Sequence, residues 1–208
     1  LDDACVWAWS EAAQRMFQWD GAQWREVECP GRVVVMHGAS SSLLWAGGYE
    51  GWLWRWDGRR WRASDAWLDG TVTGIHTLAS RDGGGFACTL DGEVVELSPY
   101  GEQRVARAKG PLLDVACSGD RVLLAAGRDG LLAMTAGDDA LEPVDVDFAP
   151  ERFDARGGAL LVSAFEGAVE TRDGGLSFGP ALSIATLSRP DATPAPLYRR
   201  ADATDDPA

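Results

Sequence analysis

The chain has 208 residues, 46% of them hydrophobic, and a formal net charge of −13. That balance supplies enough apolar material for a packed core but no run of 18 or more apolar residues to span a bilayer as a helix. It also opposes general affinity for phosphate backbones, which rests on Lys and Arg displacing counterions, so nucleic acid and membrane insertion are excluded as principal roles.

From the N-terminus, no charged n-region followed by an apolar h-region precedes the first strand-like run, so the chain carries no secretory signal of its own. A cytoplasmic location is expected, with the periplasm or secretion left open if a leader was removed before Leu1. The first unit reads as strands at 6–9, 16–19 and 24–27, with the last two joined by Trp19-Asp20-Gly21-Ala22-Gln23-Trp24. The second reads as 33–37, 43–47, 52–56 and 61–63, and contains Trp56-Asp57-Gly58-Arg59-Arg60-Trp61, the same turn 37 residues later. The third (71–78, 85–90, 93–97, 103–106), the fourth (112–117, 122–126, 131–135, 143–147) and the fifth (152–156, 160–164, 168–171, 177–178) keep that outline. Turn glycines mark the period, one series at Gly51, Gly92, Gly130 and Gly167 and another at Gly21, Gly58, Gly101, Gly137 and Gly174.

Strand-rich repeats of about 40 residues specify a β-propeller. The expected fold is all-β, with five blades of three to four antiparallel strands over residues 1–188. The first unit lacks an innermost strand, and Ser183-Ile184-Ala185-Thr186-Leu187 is the segment available to supply it and close the ring, which would remove exposed sheet edges. Residues 189–208 are rich in Pro and Asp and read as a disordered tail.

The run Ala46-Gly47-Gly48-Tyr49-Glu50-Gly51-Trp52-Leu53-Trp54-Arg55-Trp56-Asp57-Gly58-Arg59-Arg60-Trp61 resembles bacterial propeller repeats with W-D-G-x-x-W turns, and the chain's eighteen Arg against one Lys (Lys109) read as the composition of a GC-rich bacterial genome. Thr171-Arg172-Asp173-Gly174-Gly175-Leu176-Ser177-Phe178 resembles an Asp-box, the structural hairpin of the sialidase, sortilin and photosystem II assembly-factor propellers. The resemblance implies that its Asp braces turn amides while its aromatic packs into the blade, and it implies a fold without implying an activity.

All ten tryptophans lie at or before position 67. Strand alternation puts Trp52, Trp54 and Trp56 on one face, where large aromatics fill the wedge between blades. The functional reading takes Trp24, Trp61 and Trp67, with Arg59, Arg60 and Arg62, as an aromatic and basic patch for a protein partner, because Trp and Arg are favoured interface anchors. Carbohydrate stacking stands behind both. His37 and His76 occupy matching places in consecutive units and approach the ring's channel, where only Asp114 and Cys117 are at hand to complete a metal or acid–base site; ordinary strand-end histidines are the simpler reading. Asp-rich turns at 127–130, 137–139 and 145–147 lack the D-x-D-x-D loop ending in Glu that calcium favours. Cys5, Cys29, Cys88 and Cys117 form no C-x-x-C and read as free thiols.

Sialidase-type hydrolysis requires an arginine cluster, a Tyr–Glu nucleophile and an acidic Asp; only Tyr49-Glu50 offers part of it, and five blades is one fewer than that family has. No G-x-S-x-G or P-loop is present. The sequence therefore points to a non-catalytic scaffold or recognition subunit binding a protein partner in a bacterial assembly, with no cofactor or metal. A glycan-binding or glycan-processing propeller is the runner-up.

Overall fold

The computed structural model describes residues 5–156, 159–164, 167–171, 177–179 and 182–183. The fold is a β-propeller of five antiparallel sheets, each one blade. The first blade holds β1 (Val6–Ser10), β2 (Arg15–Trp19) and β3 (Trp24–Val27). The second holds β4 (Val33–Ser40), β5 (Leu43–Gly48), β6 (Leu53–Trp56) and β7 (Trp61–Ala63), and the third β8 (Val72–Thr77), β9 (Gly85–Thr89), β10 (Glu93–Ser98) and β11 (Gly101–Arg107). The fourth comprises β12 (Asp114–Ser118), β13 (Arg121–Ala125), β14 (Leu131–Thr135) and β15 (Glu142–Val144). The fifth comprises β16 (Pro150–Arg156), β17 (Ala159–Ala164), β18 (Gly167–Thr171) and β19 (Leu182–Ser183). No helix among the described residues is long and apolar enough to cross a membrane.

The two tryptophan-bracketed turns fold alike. Trp19 pairs with Trp24 and Trp56 with Trp61 across their hairpins. Asp20 Oδ1 accepts the amides of Ala22 and Gln23, and Asp57 Oδ1 those of Arg59 and Arg60, all at 3.0 Å. Gly21 and Gly58 take φ of 96° and 88°, a region in which a Cβ is strained. Asp supplies the acceptor and Gly the backbone, which is why the dipeptide recurs.

That turn aligns β2 with β6 and β3 with β7, so β1 matches β5, and among the described residues the first blade has no equivalent of the innermost strand β4. Apolar clusters step from blade to blade. Met16 packs on Val33, Ala46 and Trp54; Trp45 and Leu53 on Val72, Ile75, Ala87 and Val95; Phe86 and Cys88 on Leu112, Val115 and Leu124; Leu123 and Ala133 on Leu160, Val162 and Val169.

The fifth blade differs from expectation in its last strand. The pair 177–178 does not form it; Leu182 and Ser183 do, pairing with Ala168 and Gly167. Phe178 instead packs on the core between the fourth and fifth blades and meets Phe148 edge-on, with centroids 5.6 Å apart, while the next amide, Gly179, donates to the Glu170 carbonyl of β18 at 2.8 Å. Ser183, assigned by sequence to the ring-closing strand, therefore belongs to the fifth blade. Residues 184–188, Asp173 of the Asp-box-like turn and the 189–208 tail lie outside the described residues.

Candidate partner-binding surface

Three turns meet on the rim where the first and second blades join. After β5 the chain reverses through a single 3-10 turn, Tyr49–Gly51, in which Glu50 has φ 58° and ψ 26° and Gly51 has φ 77°. Left-handed backbone is costly for a residue with a side chain, and the reversal lifts Tyr49, Glu50 and Trp52 to the rim. Tyr49 donates its phenolic hydrogen to Glu11 Oε1 at 2.8 Å, in the β1–β2 turn. Arg32, in the β3–β4 connector, lies 4.4 Å over the Tyr49 ring and 3.5 Å from Glu11. The Glu11 hydrogen bond, and then its charge, raise the Tyr49 pKa above the ordinary phenol value, so this tyrosine keeps its proton at neutral pH.

A cleft of about 280 Å³ opens beside this trio, lined by Pro30, Gly31, Arg32, Tyr49, Glu50, Trp52 and Trp54. The Trp54 indole is wedged against Gly31 and Gly48, where any Cβ would come within about 3 Å of it. Trp52 stacks on Trp54 at 6.1 Å and 11°, and Trp67 meets Trp52 edge-on at 4.8 Å and 64°. Exposure rises along this series, from 8% at Trp54 through 40% at Trp52 to 55% at Trp67. Buried at one end and open at the other, it is a rigid aromatic ramp. The Trp67 carbonyl accepts a hydrogen bond from the Arg104 guanidinium, which fixes the ramp's outer end.

The structure divides the residues singled out by sequence. Trp67 sits on the cleft rim. Arg59, Arg60, Trp61 and Arg62 lie at the opposite end of the β6–β7 hairpin, about 13 Å away for four extended residues, and Trp24 holds the matching place in the first blade. Arg59 and Arg60 are exposed, whereas Arg62 pairs with Asp57 at 2.5 Å. The turn amide of Arg60, then Arg62, lower the Asp57 pKa to about 2. Trp61 is drawn inward, 5.9 Å from Trp7 and 5.6 Å from Trp56. Trp24 stays 51% exposed, 5.7 Å from Trp19. Sequence reasoning weighed Tyr49 and Glu50 only as a catalytic pair and passed over Arg32 and Glu11; the available signal was the Y-E-G triplet at a hairpin turn where the third and fourth blades carry Asp-Gly.

His37 and His76 do meet on the inner strands, with ring centroids 4.7 Å apart. His37 Nδ1 accepts the Thr77 amide at 3.1 Å, and His76 Nδ1 accepts the Cys117 amide at 3.2 Å. Each ring thus uses its lone pair on the next blade and carries its proton at Nε2, which leaves no nitrogen for a metal. Burial, then the neighbouring His37, lower the His76 pKa to about 4, and burial lowers that of His37. Cys117 is a poor thiolate, its pKa raised to about 12 by burial. Asp114 accepts the Phe153 amide at 2.9 Å, and burial raises its pKa. These groups stitch neighbouring blades together. Among the described residues no three His, Cys, Asp or Glu side chains are placed to hold a metal. Asp129, Asp145 and Asp147, from the acidic turns, do line one cavity of about 860 Å³ between the fourth and fifth blades, together with Arg128 and Phe148.

No protein-family model and no curated protein matches the chain. Solved structures do. The computationally designed protein Ika8 is 15% identical with a TM-score of 0.62, over 79% of this chain and 54% of its own. BBS1N, solved in complex with ARL6DN, is 14% identical with a TM-score of 0.61, over 83% and 60%. YCF48 bound to a D1 peptide is 14% identical with a TM-score of 0.57, over 81% and 60%. The chain thus spans between half and two thirds of the length of these structures, and at such identities the likeness establishes the fold alone.

Proposed function

We propose that this chain is a non-catalytic propeller scaffold that recruits a protein partner, within a bacterial multi-protein assembly, at the rim where its first two blades meet. The observation that carries the reading is the Trp54–Trp52–Trp67 ramp beside the Arg32–Tyr49–Glu11 trio. Exposed indoles held in place by buried neighbours lose little entropy on binding and are typical anchor residues. The cleft is open and aromatic, as suits an extended peptide segment. YCF48 with its D1 peptide and BBS1N with ARL6DN are propellers solved with protein ligands, which supports that role. Against sialidase-type hydrolysis stands the presence of Arg32 alone among arginines lining the cleft.

The test is affinity capture from the native organism with wild type, the Trp52→Ala/Trp67→Ala double variant and a Trp24→Ala control, read by quantitative mass spectrometry. A partner retained by wild type and the control, and lost at least tenfold with the double variant, is expected. Capture that ignores Trp52 and Trp67 refutes this surface, and retention of glycans instead of protein on a glycan array refutes the partner class.

A further inference from the structure

The cleft beside the tryptophan ramp restricts the kind of ligand it can hold, because its backbone is already engaged. The Gly48 amide donates to the Trp52 carbonyl at 2.9 Å, and the carbonyls of Gly31, Tyr49 and Gly51 accept the amides of Val33, Trp52 and Leu68 at 3.0, 3.2 and 3.4 Å. A peptide added as a β-strand needs a row of unpaired backbone groups, and these positions offer none. A helix is about 10–12 Å across with its side chains, too wide for a cleft of about 280 Å³. The surface presents flat rings and donors instead. Trp52 and Trp67 are 40% and 55% exposed, and neither indole N–H has an acceptor among the described residues.

A ligand that matches such a surface brings apolar faces and free carbonyls, and few N–H groups that would go without acceptors. Polyproline II has these properties, since it makes no internal hydrogen bonds and proline has no N–H. Its rise of about 3.1 Å per residue sets residues two apart at close to the 6.1 Å that separates the Trp52 and Trp54 rings, which lie 11° from parallel. Charge adds a second condition. Beside the ramp, Arg32, Arg104 and Arg107 pair with Glu11, Glu93 and Asp69 at 3.5, 3.3 and 3.0 Å. Glu50 is exposed at the turn and has no such partner among the described residues, so the unbalanced charge is negative.

We propose, resting on the reading of this rim as the partner surface, that its ligand is a proline-rich segment in the polyproline II conformation with an arginine or lysine beside the prolines. Pyrrolidine rings pack on the exposed indole faces, a ligand carbonyl accepts the Trp52 or Trp67 N–H, and the basic residue pairs with Glu50. Such a segment is extended before it binds, so little ordering entropy is lost on docking.

Fluorescence anisotropy of labelled peptides titrated with the full chain tests this. The probes are a run of about ten prolines ending in two arginines, the same run ending in two glutamates, and an alternating threonine–valine peptide of equal length ending in two arginines. Saturable binding of the first is expected below about 1 mM, with the threonine–valine probe at least about tenfold weaker and Trp52→Ala and Trp67→Ala each weakening the first about tenfold or more. The glutamate ending should weaken binding by about two- to fivefold, the size of an exposed ion pair, and Glu50→Gln should remove that difference. All three substitutions fall on exposed positions, and circular dichroism identical to wild type confirms that each variant is folded. Equal binding of the proline and threonine–valine probes, binding of neither, or a proline probe indifferent to Trp52 and Trp67 overturns the proposal; equal binding of the arginine and glutamate endings overturns its basic residue. In those cases a captured partner that still depends on Trp52 and Trp67 leaves the partner surface standing and refutes only the ligand class, whereas capture indifferent to them sinks both.

Discussion

Replacing Trp56 tests whether the tryptophans of the first two blades are structural. Trp56 is 3% exposed and meets Trp7 edge-on at 5.0 Å and 70°, and Trp61 at 5.6 Å and 56°. Truncation to Ala removes the indole from a site enclosed by two blades, for a loss of about 3–5 kcal/mol, within which the two ring pairs account for roughly 0.5–1.5 kcal/mol each. Trp56 Nε1 has no acceptor among its neighbours, and an unpaired buried donor costs about 1–3 kcal/mol. Trp56→Phe keeps a ring in the site and deletes that donor, so the two changes oppose each other and the net effect stays within about 1 kcal/mol. Urea unfolding followed by far-ultraviolet circular dichroism, extrapolated linearly to water, separates the variants. Equal losses for Phe and Ala would refute the reasoning, since filling the wedge would then be irrelevant; so would a loss below about 1 kcal/mol for Ala.

Stability should fall with acidification. The folded state lowers the His76 pKa to about 4, so between the unfolded value of about 6.5 and pH 4 the unfolded chain binds the extra proton and gains, up to roughly 3 kcal/mol; thermal melts from pH 7 to pH 4 should decline, and His76→Gln should flatten the decline. Gly51→Ala combines a φ of 77° with a Cβ placed 1.7 Å from the Leu68 carbonyl oxygen and should cost more than the ~1–3 kcal/mol of backbone strain alone, measured by the urea midpoint. Cys88 and Cys117, both raised to about 12 by burial, should resist iodoacetamide at pH 8 until the protein unfolds, and mass spectrometry of labelled peptides that finds either alkylated in the native state contradicts their placement.

The fold was legible because the turns state it in residues that have few substitutes. Asp20 and Asp57 each accept two amides, and Gly21 and Gly58 occupy left-handed backbone, so the geometry leaves the same letters at the same spacing. Strand count followed from the spacing, and the three described strands of the first blade were visible as a unit begun one strand late. The last strand of the fifth blade was misplaced because Phe178 reads as a strand aromatic, while its role is set by Phe148, 30 residues earlier and across a turn that no local pattern describes.

The site was less legible, for a different reason. A cluster of Trp and Arg in sequence became two surfaces in space, because a β-hairpin sends neighbouring residues to opposite rims: Asp57 with Arg59 and Arg60 to one, Trp52 with Trp67 to the other. Composition could not tell a sealed indole from an open one either, since that depends on the facing blade. Trp61 and Trp24 occupy equivalent turns with equivalent neighbours, yet one sits against Trp7 and the other is 51% exposed. The difference lies entirely in what stands opposite. In a repeat protein each blade's sequence encodes a face suited to a neighbour, and only the order of blades decides whether that face becomes core or interface. The tryptophans of the first two blades are therefore one structural device in two settings, closed between the blades and, among the described residues, open at the first blade's outer side.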